Sequence, residues 1–437
     1  MRRLALLLAV LVAGCGAPGE DAPEPRQDEA AQKIDVAKAG DVTLLVWDQE
    51  VRGGQRRQIE RLNDEFQAKY PNVTIKRVAK SFTDLNTTLK LAVSSDDAPD
   101  VVQANQGRGV MGTLVKGGLL RPLDEYAEAY GWADRYAPVL LDLNRFSSDG
   151  ETFGDGDLYG ISQMGEIVGL FYNRDKVPEP PRTFAELEEQ LAAAKRQGDV
   201  PISFGNLDKW PGIHEFQAVQ NMFAAPDDIR NFVFGREGAT FATPENDEAA
   251  AKLQQWAEDG YFTKDFNGVG YDPAYQQFAR GAGPFLIAGT WLLRDLTDMM
   301  GGKLGFMLVP PSDEERGPQA LGGESLPFAV TAKSANPDVA AAYIDFLTDA
   351  NAADVLVETG NLPAMPASAQ PQGAAGEDIF EAWRTLADAD GIVPYLDYAT
   401  PTFYDTITAG VQQLMAGRES PSEFTETLQE DFEKFTG

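Results

Sequence analysis

Residues 43–75, TLLVWDQEVRGGQRRQIERLNDEFQAKYPNVTI, decide the fold class of this 437-residue chain. They open with a short apolar run that favours a β-strand, and apolar residues then recur at helical spacing from Ile59 through Leu62 to Phe66. Pro71 interrupts the helical pattern, and a second short strand pattern follows it. The stretch therefore predicts a β-α-β unit, from which α/β proteins are built.

The same alternation continues toward the C-terminus. Val101 lies in a third predicted strand. Thr183 with Glu186 forms a capping-box pattern before a predicted helix that Gly198 ends, and residues 200–204 are predicted to form the next strand. Repeated units of this kind predict mostly parallel sheets with helices on both faces. A chain of this length is longer than a single hydrophobic core usually supports, which indicates two lobes.

The first residues have the pattern of a leader. Arg2 and Arg3 precede an apolar run over residues 4–12, which is too short to span a bilayer, since a spanning helix needs ~20 residues. Residues 12–15, VAGC, resemble a bacterial lipobox, in which the cysteine is lipidated and becomes the new N-terminus. We expect a lipoprotein signal peptide over residues 1–14 and a lipid on Cys15. The alternative is an ordinary secretory signal with an incidental cysteine.

The segment after the cysteine is too polar to pack. Residues 16–40 are rich in Ala, Pro, Glu, Asp and Gln, and their only sizeable aliphatic side chains are Ile34 and Val36. Such a composition cannot bury enough apolar surface to offset the entropy of ordering. Residues 15–40 are therefore predicted to be a lipidated cysteine and a flexible tether, which holds a large domain at the membrane.

Composition excludes several classes of function. The formal charge of −31 argues against a nucleic-acid partner, because nucleic acid is bound by basic faces. Cys15 is the single cysteine, which excludes an internal disulfide and cysteine-based zinc sites. His214 is the single histidine, which excludes a histidine-rich metal site. We expect neither a metal nor a cofactor.

The sequence contains no catalytic signature. Residues 323–327, GESLP, begin like a nucleophile elbow but lack its final glycine. Residues 154–157, GDGD, offer oxygen ligands for calcium but lack the EF-hand spacing, so they fit a turn better. A pair of carboxylates for glycoside hydrolysis stays open, since 68 acidic residues offer many pairs.

Aromatic and polar residues follow several of the predicted strands. Ligands of open α/β sheets bind beyond the carboxyl ends of the strands. Sugars present apolar C–H faces and rings of hydroxyls, so their sites need flat aromatic side chains beside carboxylates and amides. The residues with this placement are Trp47, Asp48, Gln49, Asn105, Gln106, Arg108, Trp210, His214 and Trp291.

Longer stretches carry a family resemblance. The most specific is DLYGISQMGEIVGLFYNRDKV at 157–177, followed by PRTFAELEEQL at 181–191, ARGAGPFLIAGTWLLRDL at 279–296 and LGGESLPFAVTAKSANPDVAAAYIDFLTD at 321–349. From about Asp41 onward the chain resembles the extracellular solute-binding lipoproteins of carbohydrate ABC importers, the family that includes maltose-binding protein. The resemblance implies an α/β, two-lobe periplasmic-binding-protein fold of type II, joined by a hinge with three crossings.

The resemblance also implies lobe boundaries, site residues and partners. Lobe 1 is expected at 41–160 with about 326–352, and lobe 2 at 161–325 with about 353–437. The implied ligand is a di- or oligosaccharide, and the implied partners are the transmembrane subunits of an ABC permease. By position, the site residues implied are Trp47, Asp48, Gln49, Asn105, Gln106, Arg108, Glu166, Trp210, His214, Trp291, Gly323, Glu324 and Tyr404.

Three classes of function remain open from the sequence. The first is a monomeric receptor, anchored at the outer face of the cytoplasmic membrane through Cys15, which delivers an oligosaccharide to the permease. The second is a receptor of the same fold for a polyol, a polyamine or a chelate. The third is a surface glycosidase, against which the missing catalytic motif counts.

Overall fold

The computed structural model describes residues 33–313 and 316–437. The predicted leader and Cys15 lie outside the described residues. Within them the strands are β1 (Val42–Asp48), β2 (Val73–Ala79), β3 (Val101–Gln103), β4 (Arg145–Phe146), β5 (Asp157–Leu158), β6 (Gly165–Asn173), β7 (Phe285–Gly289), β8 (Leu304–Met307), β9 (Ala320–Glu324), β10 (Phe328–Val330) and β11 (Ile392–Val393).

Helices separate most of these strands, and several 3₁₀ turns and one π-helical turn join them. The helices are α1 (Gly53–Lys69), α2 (Phe82–Ser94), α3 (Thr113–Lys116), α4 (Asp124–Tyr130), α5 (Pro138–Asp142), α6 (Phe184–Gln197), α7 (Trp210–Phe223), α8 (Pro226–Val233), α9 (Pro244–Glu258), α10 (Tyr271–Ala279), α11 (Leu293–Met300), α12 (Pro337–Leu347), α13 (Ala350–Thr359), α14 (Gly373–Asp388), α15 (Phe403–Met415) and α16 (Pro421–Thr436). None of the described helices is long and apolar enough to cross a membrane.

The first sheet has the strand order β10-β3-β1-β2. β1 pairs in parallel with both β2 and β3, so the opening stretch of sequence forms the predicted β-α-β unit. β10 joins antiparallel, with Phe328 opposite Gln103. Leu44, Val46, Ile59 and Leu62 are fully buried in the core beneath this sheet.

The second sheet is built around β6. β7 pairs along one edge of β6, and β9 and β8 pair one after the other along the opposite edge. All three pairings are antiparallel, so the expectation of mostly parallel sheets is wrong for this sheet. An apolar run identifies a buried strand but does not give its direction.

One predicted strand is absent. Residues 200–204 form no strand and pair through isolated bridges of Ile202 with Phe262 and Phe285. Pro201 has no N–H to donate to a ladder, which limits the pairing. The helix before this segment begins and ends as predicted, since the Thr183 hydroxyl accepts from the Glu186 N–H and Gly198 is left-handed.

Three chain segments lie side by side between the two sheets. The Phe328 N–H donates to the carbonyl of Ile161 at 2.9 Å, and the Ser325 N–H donates to the carbonyl of Met164 at 2.9 Å. The Gly165 N–H in turn donates to the carbonyl of Leu362 at 2.9 Å. The segments before β6, between β9 and β10, and after α13 are therefore tied together by their main chains.

The end of the predicted tether is packed. Val36 is buried in the core of the first sheet, and Ile34 packs against that core. The Asn72 side-chain amide donates to the carbonyls of Val36 and Gly40, both at 2.8 Å. The prediction of a flexible tether reaching residue 40 is therefore wrong from about Ile34 onward, because its two aliphatic side chains find partners in the domain.

Candidate functional site

A cavity lies beyond the carboxyl ends of β1, β3 and β7. This is where α/β sheets bind their ligands. The residues that line the cavity are Gln49, Arg52, Gln55, Phe82, Asn105, Glu166, Trp210, Ile213, His214, Trp291, Leu326, Tyr395, Asp397, Tyr398 and Tyr404.

Four rings form an aromatic wall, namely Trp210, His214, Trp291 and Tyr395. The ring centroids of Trp210 and Trp291 are 6.3 Å apart, and the His214 ring lies 5.6 Å from Trp291 and 5.3 Å from Tyr395. Trp210 and His214 belong to the first turns of α7, and Trp291 belongs to the 3₁₀ turn after β7. The wall offers flat apolar surface of the kind that packs against a sugar ring.

Trp291 is held in place by its neighbours. A Cβ atom added at Gly289 would lie 2.0 Å from the Trp291 ring, so only glycine permits the ring to fold back over the end of β7. The indole N–H donates to the Tyr271 hydroxyl at 2.9 Å. These contacts fix the ring orientation before any ligand arrives.

His214 is neutral in this wall. Burial lowers the pKa of His214 to about 3, because its surroundings do not solvate an imidazolium. The single histidine therefore supplies a ring face and neutral polar atoms at neutral pH, and no positive charge.

Glu166 and Asp397 are the carboxylates of the cavity. The Tyr395 hydroxyl donates to Oε1 of Glu166 at 2.9 Å, and Nδ2 of Asn105 donates to Oδ2 of Asp397 at 3.2 Å. Burial raises the pKa of Glu166 to about 7 and the pKa of Asp397 to about 6, and these two hydrogen bonds partly offset it. Over the described residues neither carboxylate has an ion-pair partner, so both have acceptor capacity for a ligand.

Arg52 supplies a donor at the start of α1. Its Nη2 donates to Oδ1 of Asp272 at 3.0 Å, and its guanidinium lies over the Tyr271 ring, 5.4 Å from the centroid. Its Nε is buried and has no hydrogen-bond partner among the described residues. Since a buried N–H without a partner is costly, this group is suited to a ligand oxygen.

The cavity brings together part of the set predicted from the sequence. The predicted residues that line it are Gln49, Asn105, Glu166, Trp210, His214, Trp291 and Tyr404. As ligand contacts these residues stay predictions. The predicted residues that do not line it are Trp47, Asp48, Gln106, Arg108, Gly323 and Glu324.

Asp48 and Trp47 have partners elsewhere. Asp48 is buried, and Arg77 donates to both of its oxygens, from Nε at 2.7 Å and from Nη2 at 2.6 Å. The Trp47 ring packs against the core and lies under Nζ of Lys80, 4.5 Å from the centroid. Asp48 is thus the acid of a bidentate ion pair at the end of β1.

Gln106 and Arg108 bind main-chain groups instead of the cavity. Nε2 of Gln106 donates to the carbonyl of Ser325 at 3.0 Å. Arg108 is 3% exposed, and its guanidinium donates to main-chain carbonyls, among them that of Ala399 at 2.7 Å. Both side chains were expected at the ligand because they follow a strand, but their partners are remote in sequence.

Gly323 and Glu324 lie inside β9. A Cβ added at Gly322 would lie 2.2 Å from the carbonyl oxygen of Glu166, so Gly322 lets β9 approach the main chain of β6. A Cβ added at Gly323 would lie 2.7 Å from the Leu143 side chain, so this glycine makes room for a core side chain rather than a ligand. Glu324 is buried and accepts from Nδ2 of Asn144, and burial raises its pKa well above the usual range. The two residues therefore support the sheet under the cavity.

The sequence interpretation missed about half of the lining. The missed residues are Arg52, Gln55, Phe82, Ile213, Leu326, Tyr395, Asp397 and Tyr398. The stretch YLDYATPTFY after β11 combines aromatic rings with an acid, the signal that identified the other strand ends, and it identifies Tyr395, Asp397 and Tyr398 when β11 is recognised. Arg52 and Gln55 have no such signal.

Metal chemistry finds no support in the described part of the chain. No group of three or more His, Cys, Asp or Glu side chains in residues 33–313 and 316–437 is arranged to hold a metal ion. The cavity is instead lined by rings, amides and two acids, and these groups suit a polar organic ligand with apolar faces.

The chain is similar in sequence and in fold to several known proteins. The chain is 25% identical over 360 residues to maltodextrin-binding protein MdxE of Bacillus subtilis (strain 168), covering 79% of this chain and 77% of that protein. Among solved structures, a chitin oligosaccharide binding protein matches with a TM-score of 0.76 at 21% identity, covering 91% of this chain and 99% of that one. SBP RafE in complex with raffinose matches with a TM-score of 0.71 at 17% identity, covering 90% and 100%.

These structural matches confirm the two-lobe α/β fold that the resemblance implied. The family model of the bacterial extracellular solute-binding proteins matches residues 61–410, most of the chain. That family implies a location outside the cytoplasm. The chain belongs to the bacterial extracellular solute-binding proteins.

Proposed function

We propose that this chain is the receptor of a carbohydrate ABC importer and binds a di- or oligosaccharide in the cavity described above. The observation that carries the proposal is the aromatic wall in a cavity that also holds two carboxylates, neither of which has an ion-pair partner among the described residues. A pyranose has an apolar face that can pack against the aromatic wall and hydroxyls that can donate to the two carboxylates. The sugar ligands named for MdxE and for the structural neighbours support the same class.

Each part of the cavity has a role in this proposal. Trp291 packs against a sugar ring, and Glu166 and Asp397 accept hydrogen bonds from hydroxyls. Nε of Arg52 donates to a sugar oxygen. Charged acceptors of this kind contribute ~1.5–3 kcal/mol each.

We propose two lobes, one around each sheet, that close over the sugar. The predicted boundary at residue 352 falls within α13, whose Ala353 and Leu356 are buried in the core of the first sheet. We therefore assign α13 to lobe 1 and place the third crossing near Leu362. Residues 159–164 and 325–327 form the other two crossings.

We further propose that the mature chain is a monomer tied to the outer face of the cytoplasmic membrane by a lipid on Cys15, and that it hands its sugar to the permease. Export and a lipobox support this location. Cys15→Ser should either release the chain from the membrane fraction or leave it unprocessed with its leader attached, with its sugar affinity unchanged. Processed chain that stays as membrane-bound as the parent refutes the anchor.

A ligand panel tests the proposed function. Thermal shift and isothermal titration of the purified chain with maltotriose, raffinose and N,N′,N″-triacetylchitotriose should give saturable binding of at least one sugar at micromolar concentration. Spermidine and sorbitol serve as the non-sugar probes. Binding of spermidine or sorbitol with no response to any sugar assigns the chain to the alternative class of solute.

The same samples test for catalysis. A receptor returns the bound sugar unchanged, so incubation of each oligosaccharide with the chain should release no reducing ends. A steady release that disappears in Glu166→Gln shows a glycosidase and contradicts the proposal.

A further inference from the structure

Consecutive residues after β3 contact one short piece of the cavity wall, residues 397–399. Nδ2 of Asn105 donates to Oδ2 of Asp397 at 3.2 Å. The Tyr398 hydroxyl donates to Oε1 of Gln106 at 3.1 Å. Asp397 and Tyr398 both line the cavity, whereas Gln106 does not.

The next two residues continue the contact. Gly107 has a φ of +76°, and a Cβ added there would lie 2.4 Å from Cα of Tyr398. The two segments are therefore in contact through their main chains. Nη1 of Arg108 then donates to the carbonyl of Ala399 at 2.7 Å. Residues 105–108 therefore run along residues 397–399 for their whole length.

Arg108 anchors this contact. Its guanidinium donates to three further carbonyls, those of Glu151 at 2.9 Å, Val233 at 2.8 Å and Phe234 at 3.0 Å. The last two are the final residue of α8 and its C-cap, where a helix favours a cation. The Phe435 ring lies 5.0 Å from the guanidinium.

These partners use four of the five N–H donors of Arg108, and the side chain does not line the cavity. The side chain is buried, forms no ion pair with an acid of the described residues, and gives its hydrogen bonds to main-chain carbonyls of three separate segments. Such a planar fork of donors fixes the segments relative to one another, and a lysine does not reproduce its geometry.

We propose that Gln106 and Arg108 are positioning residues, which hold residues 397–399 so that Asp397 and Tyr398 face the sugar. The inference rests on the proposed sugar-binding function. It changes the role of both residues, since the sequence placed them at the ligand and the structure places them behind the wall that the ligand contacts.

The chain after residue 399 has a separate anchor. Asp431 on α16 accepts from the hydroxyls of Thr400 and Thr402, the latter at 2.9 Å. Loss of Arg108 should therefore loosen residues 397–399 while α15 stays protected. This difference gives the test a readout within the same molecule.

The test compares Arg108→Ala and Gln106→Leu with a matched control, Arg135→Ala. Arg135 also donates to main-chain carbonyls, of Tyr130 at 2.9 Å and Thr348 at 3.3 Å, but it does not line the cavity or contact residues 397–399. Hydrogen–deuterium exchange of the unliganded chain is followed at residues 396–399. Dissociation constants are measured well below each melting temperature with the tightest binder of maltotriose, raffinose and triacetylchitotriose.

Arg108→Ala should exchange at least tenfold faster at residues 396–399 and weaken sugar binding by about ten- to a hundredfold, with a smaller effect of the same kind in Gln106→Leu. Arg135→Ala should lower the melting temperature and leave both readouts as in the parent. Unchanged exchange at 396–399 with unchanged affinity in both Gln106→Leu and folded Arg108→Ala overturns the proposal. If no sugar binds the parent, the proposed function fails and the inference falls with it, whatever the exchange shows.

Discussion

At the residue scale, Glu166 and Asp397 control how binding responds to pH. Their pKa values are about 7 and about 6, raised above the usual range by burial. A sugar hydroxyl donates to a carboxylate more readily than to a protonated carboxyl, which has given up part of its acceptor capacity. The sugar therefore binds more tightly when both carboxyl groups are ionised. Its affinity should be highest above the pKa of Glu166, and it should decrease as the pH falls through about 7 and then about 6.

This sign gives the first prediction. Titrations of the tightest sugar at pH 8 and pH 5.5 should differ by about tenfold or more in dissociation constant, with the weaker binding at pH 5.5. Glu166→Gln keeps the shape but does not titrate, so it should bind more weakly at pH 8 and lose little affinity between pH 8 and pH 6.5. Affinity that rises as the pH falls would contradict the assigned direction.

Single residues also show what the sequence was able to predict. Trp291 was identified because a glycine, a threonine and a ring follow a buried strand, and the structure folds that ring over Gly289. Arg108 also follows a strand, β3, yet its guanidinium donates to main-chain carbonyls. Its acceptors at Val233 and Ala399 are distant in sequence, and the spacing of polar residues along one strand contains no information about them.

At the element scale, the start of α1 packs closely against the end of α13 and against α11, the helix that follows β7 of the second sheet. A Cβ added at Gly54 would lie 2.8 Å from the carbonyl of Thr359 and 2.9 Å from Cβ of Arg294 on α11. Arg57, one turn further along α1, pairs with Asp298 of α11 at 2.9 Å. Helix α1 therefore contributes Arg52 and Gln55 to the cavity while its first turn is pressed against α11.

Gly54→Val should separate these two helices. The added side chain would meet the carbonyl of Thr359 on one side and Cβ of Arg294 on the other, so we expect a loss of about 1–3 kcal/mol of stability and weaker sugar binding. Gly302→Val is the matched control, because nothing lies within 4 Å of a Cβ at that position. Melting temperature and dissociation constant are measured for both variants. Equal behaviour of the two variants would show that the α1–α11 contact is not needed.

The elements themselves were predictable to different degrees. The β-α-β unit at residues 42–79 follows from periodicity, and the parallel pairing of β1 with β2 confirms it. The antiparallel pairing around β6 was not predictable. A strand that is buried on both faces is a continuous apolar run, whether its neighbours are parallel or antiparallel to it. Tertiary pairing also decided that residues 200–204 form only isolated bridges.

At the scale of the whole molecule, the three crossing segments are joined by main-chain hydrogen bonds near Ile161, Ser325 and Leu362. Closure of two lobes concentrates its change in a few hinge residues while the lobes stay rigid. Small-angle scattering should therefore give a smaller radius of gyration with saturating sugar than without it. Identical curves under both conditions would contradict closure but leave sugar binding intact.

The central claim is that a sugar binds against the aromatic wall, and a calorimetric titration of Trp291→Ala tests it most directly. The matched control is Trp256→Phe, whose indole is buried in the helical layer away from the cavity and donates to Glu188 at 3.3 Å. We predict that Trp291→Ala, measured well below its melting temperature, binds the tightest sugar of the panel ten- to several-hundredfold more weakly, a loss of about 1.4–3.5 kcal/mol. Its melting temperature should also fall, because the ring packs against two core clusters. Trp256→Phe should lower the melting temperature and keep the parental affinity. Parental affinity in folded Trp291→Ala would contradict the account.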